Sequence, residues 1–306
     1  MNKRHINILT FGLMALLTAT ACSTDDGGAP AFIHVDAIQV KARETGAVTQ
    51  DSGYYTSKIV AAYVVAHYPD AMSVDTIGLF RLPFTVPVLH NGPADYIEFY
   101  PAVPMSGKMT ALPYYTYYNH LHFGDSTLRA GDTIDFGTLS TTYDALVDYP
   151  LLFEPFEPNE ANIMMDSVVE WVKHDRDGAR CGEGYGKVHV DPEATHVDFS
   201  IDKGDFFVVN DPSKLVYLEM DVRGDLDLEV SMTSRYQNGG NLDRLQVMVV
   251  YDTAEWQHLY INLGRTWSYF NHHPQFKINF SALNYDGTGG DVYIDNIKLL
   301  TTSKVL

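Results

Sequence analysis

Cysteine is scarce in this chain of 306 residues, since only Cys22 and Cys181 are present. A framework of several disulfides is therefore excluded, and the fold must rely on packed cores. Basic residues are also few: 21 Lys and Arg stand against 39 Asp and Glu, which gives a formal net charge of -18. A field of that sign repels phosphate backbones, so the composition argues against nucleic acid as a partner.

Long apolar runs are lacking too, and no segment after Cys22 approaches membrane-spanning length. Residues 6–17 are mostly apolar, but a transmembrane helix needs about 20 such residues. The run follows a basic start that contains Lys3 and Arg4, and small residues lead from it to Cys22. This order predicts a lipoprotein signal peptide over residues 1–21, which is cleaved after a lipid has been attached to the Cys22 thiol. The alternative is an ordinary secretory leader in which Cys22 is incidental.

The segment after Cys22 is polar and rich in small residues, which predicts a flexible tether over residues 22–30. Its acidic residues Asp25 and Asp26 resemble the export signal of surface lipoproteins in Gram-negative bacteria that forage on glycans. The resemblance implies an outer-membrane lipoprotein of the cell envelope that faces the exterior and meets the membrane through its lipid. An anchor that faces the periplasm is the alternative.

Aromatic residues are abundant, with 20 Tyr and 15 Phe, and they suit the packing of sheets. Residues 32–40 alternate in the manner of a half-buried strand, and residues 58–66 are typical of a more buried one. Further short runs are broken by Pro83 and Pro87, which are expected at strand ends or edges. Strands at this spacing, without a helical period, predict an immunoglobulin-like antiparallel sandwich over residues 31–145.

A break rich in Pro and Glu at residues 154–160 predicts a second domain, over residues 146–306. Residues 163–174 fit a helix or a strand, and their β-branched content favours the strand. Eight later runs are strand-like and predict a jelly-roll sandwich: 187–190, 196–201, 215–222, 226–232, 245–251, 258–263, 276–280 and 292–299. The predicted fold class is therefore all-β, with two antiparallel β-sandwich domains, immunoglobulin-like and then jelly roll.

The closing run Asp291–Leu299, with the sequence DVYIDNIKL, is similar to the last strand of galactose-binding-like jelly rolls. Those folds include many carbohydrate-binding modules. A Glu-bearing run at 153–157, a Gly-containing segment at 185–187 and Trp256 fit the same order along the chain. Together with residues 78–83 (GLFRLP), they make the whole chain resemble two-domain surface lipoproteins. The resemblance implies a fold, and a fold alone does not define a function.

The same resemblance implies a structural Ca²⁺ near the first and last strands of the jelly roll. Asp295 is the leading candidate ligand, with Glu154 or Glu157 from the first strand. Carboxylate oxygens suit this hard cation, which takes six to eight of them. The alternative is that Asp295 caps a turn or accepts a hydrogen bond from a neighbouring backbone amide.

Aromatic side chains near predicted loops of the second domain form a candidate glycan platform. Apolar faces of sugar rings stack on Trp and Tyr, while neighbouring polar groups bind the hydroxyls. The candidate ligand-binding residues are Trp256, Trp267, Tyr236, His258 and Tyr269. The alternative is that Trp256 and Trp267 pack in the core or at its rim, as most aromatic residues of a sandwich do.

Tyrosines are concentrated in residues 114–123 (YYTYYNHLHF). In an extended chain Tyr115 and Tyr117 share one face, which can form a binding patch or contact the second domain. A tyrosine-rich strand at a wet rim is the alternative. His120 and His122 also share a face, but no third ligand stands at a suggestive spacing, so zinc is not expected.

Catalytic motifs are missing from the sequence, which has no Gly-x-Ser-x-Gly elbow, no Walker loop and no Rossmann fingerprint. We therefore expect a non-enzyme: a surface-displayed lipoprotein that binds glycan. A structural or protein-interaction lipoprotein, such as an adhesin or an accessory subunit of an envelope complex, is the second hypothesis. A hydrolase with two facing carboxylates is the third.

Overall fold

A computed structural model describes residues 29–42, 52–68, 74–88, 92–144, 151–158, 166–201, 207–211, 215–235, 242–270 and 273–301. These residues are mainly strands, with one short helix and one 3₁₀ turn among them, so the predicted all-β class is confirmed. The signal peptide, Cys22 and Tyr236 lie outside the described residues. No helix in the described part of the chain has the length and apolarity needed to cross a membrane.

The N-terminal unit consists of nine strands among the residues described between 31 and 141. They are β1 Ala31–Val35, β2 Ala37–Val40, β3 Ala61–His67, β4 Val74–Arg81, β5 Phe84–Val88, β6 Gly92–Ala102, β7 Leu121–Leu128, β8 Thr133–Asp135 and β9 Thr138–Thr141. They pair in the orders β4-β3-β6-β7, β5-β1-β8 and β2-β9. The β1/β8 and β2/β9 pairs are parallel, and the other pairs are antiparallel.

Strand positions in this unit follow the sequence pattern, with one difference. The single strand predicted over residues 32–40 is two strands, because the chain leaves the ladder at Asp36 and β2 continues in another sheet. Pro83 lies between β4 and β5, and Pro87 lies in β5, which is an edge strand. An edge position is where a residue without an N–H is tolerated, so the prediction for both prolines is confirmed.

The C-terminal unit consists of eleven strands among the described residues from 152 to 301. They are β10 Leu152–Glu154, β11 Glu170–Val172, β12 Tyr185–Val190, β13 His196–Ser200, β14 Phe207–Val208, β15 Val216–Gly224, β16 Asp227–Arg235, β17 Leu242–Val250, β18 Thr253–Asn262, β19 Gln275–Leu283 and β20 Gly290–Thr301. All eight predicted runs are strands, and β11 confirms the strand interpretation at residues 170–172. A six-residue helix, α1 Gly264–Tyr269, follows β18.

Two antiparallel sheets form a sandwich in this unit. One has the order β11-β12-β20-β15-β18, with β10 also paired to β20, and the other has the order β13-β19-β16-β17, with β14 paired to β19. Alternate side chains of both sheets point into one core; Met220 and Ile294 enter it from the first sheet, and Val230 and Phe280 from the second. The outer face of the first sheet is therefore available to a neighbouring part of the chain.

The N-terminal unit covers part of that outer face through a tyrosine cluster. Its buried members are Val40, Tyr54, Val103, Tyr115, Tyr117, Tyr118 and Tyr143 from the N-terminal unit and Tyr217, Tyr260 and Leu300 from the C-terminal unit. The ring centroid of Tyr115 lies 5.4 Å from that of Tyr217 and 4.8 Å from that of Tyr260, in edge-on geometry. Such contacts are favourable beyond the area they bury.

The tyrosine-rich run 114–123 supplies much of this cluster. Tyr115 and Tyr117 are both buried, while Tyr114 and Thr116 are exposed, as the predicted alternation requires. The buried face contacts the second unit, which was one of the two roles predicted for it. The run is not one continuous strand, however, because it passes through turns before β7 begins at Leu121.

Candidate functional site

A cleft with a volume of about 700 Å³ opens beside the tyrosine cluster. One wall is the loop of residues 104–109 from the N-terminal unit. The other wall consists of residues near the end of β17, in β18 and on α1. Ligand pockets in proteins typically measure about 300–1,000 Å³ and often lie where two units meet. The cleft is therefore the candidate binding site.

The loop is held in position by a tight turn and by a backbone hydrogen bond to the C-terminal unit. Met105 forms an isolated bridge with Tyr260, and the backbone amide of Ser106 donates to the carbonyl oxygen of Tyr260 at 2.8 Å. Gly107 has a φ of 71°, a left-handed conformation that favours glycine. Its amide donates to the carbonyl oxygen of Pro104 at 3.1 Å and closes the turn.

A buried polar network lies beneath the cleft, centred on Glu219 of β15. Its carboxylate accepts hydrogen bonds from the hydroxyls of Tyr115 at 2.6 Å and Tyr143 at 2.7 Å, and from Lys298 Nζ at 2.8 Å. Tyr115 and Tyr143 belong to the N-terminal unit, whereas Glu219 and Lys298 belong to the C-terminal unit. Buried ions are stable only with partners of this kind, so the network also sets how the two units meet.

His258 of β18 joins Glu219 to a second buried carboxylate. Its Nδ1 lies 3.1 Å from Asp221 Oδ1, and its Nε2 lies 3.6 Å from Glu219 Oε2. Asp221 also accepts from Asn296 Nδ2 at 3.1 Å and lies 3.6 Å from Arg180 Nε. Negative charge below the cleft is therefore balanced by positive charge within the network itself.

Charge pairing shifts the pKa values in this network. Burial raises the pKa of Glu219, but Lys298 and His258 outweigh it and lower the pKa to about 2. Burial lowers the pKa of His258, but Asp221 and Glu219 outweigh it and raise the pKa above its ordinary value. The charged form of each group is thus favoured by the others.

The cleft is lined by apolar, neutral polar and cationic side chains. Lys58, Lys108 and Arg265 are its cations, and no Asp or Glu is found among the described residues that line it. Burial and the nearby Arg180 lower the pKa of Lys58, whose Nζ donates to Gln257 Oε1. Two facing carboxylates, as glycoside hydrolysis requires, are therefore missing from the described lining.

The rim and walls of the cleft add groups that suit a sugar. Tyr251 follows β17 at the rim and is 76% exposed. Ser106 and Asn262 add a hydroxyl and an amide to the walls, and Met109 adds an exposed apolar side chain. An exposed ring with polar groups nearby can stack on a pyranose face and bind its hydroxyls.

Of the five predicted ligand-binding residues, His258 lines the cleft and Tyr236 lies outside the described residues. Trp256 is half-buried beside the cleft; its Nε1 donates to the carbonyl oxygen of Gly178 at 3.1 Å, and the guanidinium of Arg223 lies 5.1 Å from its ring. These contacts occupy one face of the indole and its only donor.

Trp267 and Tyr269 of α1 lie apart from the cleft lining. Trp267 is 1% exposed in the core of the C-terminal unit, where its Nε1 donates to the carbonyl oxygen of His273 at 2.8 Å. This placement corresponds to the packing alternative and leaves no ring face for a ligand. Tyr269 is 61% exposed on the surface of the helix.

The carboxylates predicted to bind calcium accept hydrogen bonds from backbone amides. Asp295 accepts from Arg180 N at 3.1 Å and from Asn296 N at 2.8 Å. Glu154 accepts from Phe156 N at 2.7 Å, and Glu157 accepts from Glu183 N at 3.0 Å. Within the described ranges, no group of three or more His, Cys, Asp or Glu is arranged to hold a metal.

The hydrogen bonds that Asp295 accepts from backbone amides correspond to the alternative role predicted for it. Burial and the charge of Asp221 raise the pKa of Asp295 well above its usual range. The two amides use part of the acceptor capacity of the Asp295 carboxylate, which has about four lone-pair sites. Calcium binding stays a prediction.

His120 and His122 share a face, as predicted, and a third histidine joins them. His67 of β3 lies 3.0 Å from Glu98 of β6, and the nitrogens of His120 and His122 lie 3.5 and 3.8 Å from the same carboxylate. Burial raises the pKa of Glu98, but hydrogen bonds from Tyr100 and His67 outweigh it and lower the pKa. Sequence spacing missed His67 because it lies on another strand.

No family model and no curated protein matches the chain. Similar solved structures include a family 61 carbohydrate-binding module in complex with β-1,4-galactotriose, at 19% identity over 50% of this chain and 98% of that chain, with a TM-score of 0.32. A family 30 module of a Clostridium thermocellum cellulosomal cellulase has 17% identity over 50% and 92%, with a TM-score of 0.34.

The CBM22-1 xylan-binding domain of Paenibacillus barcinonensis Xyn10C has 16% identity over 53% of this chain and 99% of that domain, with a TM-score of 0.37. At these values the likeness establishes neither a family nor a ligand for this chain. The fold and the cleft define an all-β protein whose candidate binding site is a cleft between two units.

Proposed function

We propose that this chain is a non-catalytic outer-membrane lipoprotein that binds glycan at the cell surface. The lipid on Cys22 anchors it, and the binding site is the cleft between the two units. The observation that carries the proposal is the cleft itself, with a volume of about 700 Å³ and Tyr251 at its rim. Its size and its mixture of ring, hydroxyl and amide groups match what an oligosaccharide requires.

A binding role, as opposed to catalysis, is supported by the chemistry of the lining. Hydrolysis of a glycosidic bond needs an acid and a base or nucleophile, usually two carboxylates on opposite sides of the sugar. The described lining has amides, hydroxyls and cations instead. Asn262 and Ser106 hold hydroxyls in place without transferring protons in a hydrolytic step.

The test is binding of the mature chain to a panel of oligosaccharides, measured by calorimetry. Tyr251→Ala is expected to weaken binding of the best ligand at least tenfold, about 1.4 kcal/mol, because a stacking ring is lost. Tyr285→Ala is the matched control, since Tyr285 is also 76% exposed but is not among the residues that line the cleft.

Two results would overturn the proposal. One is that no oligosaccharide in the panel binds, and a stoichiometric protein partner purified from membranes would then favour the protein-interaction role. The other is that Tyr251→Ala binds the best ligand as tightly as the native chain does.

A further inference from the structure

We infer that the cleft selects glycans that carry negative charge, as carboxylate or sulfate groups. This inference rests on the proposed function, since it names the class of glycan that the same cleft takes. It is based on a difference in sign: the chain as a whole is negatively charged, whereas the cleft is lined by positively charged side chains.

Acidic residues outnumber basic ones by 39 to 21 in the whole chain, so a random patch of surface is expected to be negative. The described lining instead has Lys58, Lys108 and Arg265 and no acidic side chain. The three cations come from distant parts of the sequence and meet only in the folded chain. An isolated positive cleft in a negative molecule focuses the field on anionic groups that enter it.

The carboxylates beneath the cleft do not cancel these cations. Glu219 is paired with Lys298 and accepts hydrogen bonds from two tyrosine hydroxyls, and Asp221 is paired with Arg180 and contacts His258. Only His258 of these groups lines the cleft, and an imidazole is never anionic in this setting. The floor therefore adds no negative charge to the site.

The three cations are available to a ligand. Across the described residues, none of Lys58, Lys108 and Arg265 forms an ion pair with a carboxylate. Lys58 is half-buried and donates to Gln257, a neutral acceptor, while burial and Arg180 disfavour its charge. A bound anion would relieve that unfavourable electrostatic energy, because it supplies the counter-charge that the protein lacks there.

The geometry suits a saccharide with acidic groups better than a free small anion. Lys108 and Arg265 are exposed at the edge of the cleft, whereas Lys58 lies deeper. Spread over a cleft of about 700 Å³, they can contact charges on successive sugar units. Arg265 offers a planar fork that binds a carboxylate or a sulfate with two hydrogen bonds, and the lysines act as point charges.

The experiment compares three probes on the mature chain by calorimetry: an oligogalacturonate, the same oligomer fully methyl-esterified, and a sulfated galactan oligosaccharide of equal length. The first two have the same sugar chain and differ in that a neutral methyl ester replaces each carboxylate. At about 50 mM NaCl we expect at least one charged probe to bind at least tenfold more tightly than the ester. The difference is expected to shrink at about 0.5 M NaCl, since salt screens exposed charges.

Lys108→Gln with Arg265→Gln in one chain is expected to remove this preference, so that the charged probes bind no more tightly than the ester does. Lys173→Gln is the control, because it removes a positive charge from a lysine that packs on Trp171 and does not line the cleft. Comparison of the carboxylate and sulfate probes identifies which anion the cleft favours.

Each outcome decides one hypothesis. If the methyl-esterified probe binds as tightly as both charged probes, the proposed selection for charge is wrong, while the proposal of glycan binding stands. Charged probes that bind the double variant as they bind the native chain also overturn it, because the preference then arises elsewhere. Failure of all three probes, together with the wider neutral panel, overturns glycan binding itself.

Discussion

Lys298 connects the two units through buried polar contacts. It is fully buried, and its Nζ contacts Glu219 Oε2, the Tyr143 hydroxyl and the Tyr54 carbonyl oxygen, each at 2.8 Å. These three partners lie far apart in sequence: Glu219 belongs to β15, and Tyr54 and Tyr143 belong to the N-terminal unit. A lysine in such a place requires every one of its donors to be used.

Replacement of Lys298 with Met is expected to lower the free energy of unfolding by about 3–5 kcal/mol, because Glu219 would be left buried with too little positive charge. Urea unfolding measures the loss. The double variant with Glu219→Gln is the control and should recover part of the loss, since it removes the orphaned charge. A Lys298→Met chain within about 1 kcal/mol of the native one would contradict the assigned role.

His258 makes the stability of the protein depend on pH. Its pKa is raised in the folded chain, so its stabilising contribution is complete below the unfolded value of 6.5 and is lost as pH rises through the folded value. We expect the free energy of unfolding to fall as pH rises from 6.5. His258→Gln should flatten this slope, whereas His196→Gln, at an exposed position, should not. Equal slopes in all three chains would contradict the assignment.

At the scale of the residue, the sequence singled out His258 as a ligand contact but gave no sign of its buried partners. The structure places it in the lining of the cleft and also beside two buried carboxylates of β15, and its contact with a ligand stays a prediction. The cations of the cleft were not predicted, because positions 58, 108 and 265 are separated by long stretches of chain. No local pattern encodes such a meeting, which depends on how two units pack.

Strand β20 is the element that organises the C-terminal unit. It pairs with β10, β12 and β15, and it positions Asp295 and Lys298 on the face toward the N-terminal unit. The register with β15 shifts between Glu219 and Asp221, and Asn296 there has a φ of 49°. A bulge of this kind re-aims side chains, which allows acidic and basic residues to share the buried network.

The strand positions were predictable because alternation and turn residues are local signals. Residues 292–299 predicted β20 well, and the other seven runs of the C-terminal unit also became strands. The bulge was not predicted, although the pattern carries a trace of it. The core residues of β20 are two apart except between Ile294 and Ile297, where Asp295 and Asn296 both intervene. The split of residues 32–40 was missed because only sheet pairing distinguishes one strand from two.

Close packing between β15 and β20 requires a glycine at position 224. A Cβ on Gly224 would lie 2.6 Å from the carbonyl oxygen of Asp291, which is fixed in the ladder. Gly224→Ala is therefore expected to lower the free energy of unfolding by about 1–3 kcal/mol. Gly264→Ala is the control, since a Cβ on Gly264 would lie 3.0 Å from Oδ1 of Asn262, a side-chain atom, and would meet no closer atom. Equal stability of the two variants would contradict this packing.

On the scale of the whole molecule, the candidate binding site exists only because the two units meet. The tyrosine cluster covers one end of the outer face of the β12-β20-β15-β18 sheet, and the loop of residues 104–109 then forms a wall that neither unit has alone. The sequence predicted two β-rich parts and named contact with the second domain as one role for the tyrosine-rich run. It carried no signal for the cleft that results.

Attachment to the membrane is expected to depend on Cys22. A Cys22→Ala chain expressed in a Gram-negative host should move from the membrane fraction to the soluble fraction, because no lipid can be attached to alanine. Cys181→Ala is the matched control and should stay with the membranes. Mass spectrometry of the native chain should find an acylated N-terminal cysteine, and an unacylated mature N-terminus would contradict the anchor.

The most direct test of the central claim, that glycan binds between the two units, is hydrogen exchange with and without a saturating oligosaccharide found in the binding panel. We predict that amides in residues 104–109 and 247–259 become protected, since these segments line the cleft. Protection confined to the outer face of the β13-β19-β16-β17 sheet, with the cleft segments unchanged, would contradict the account.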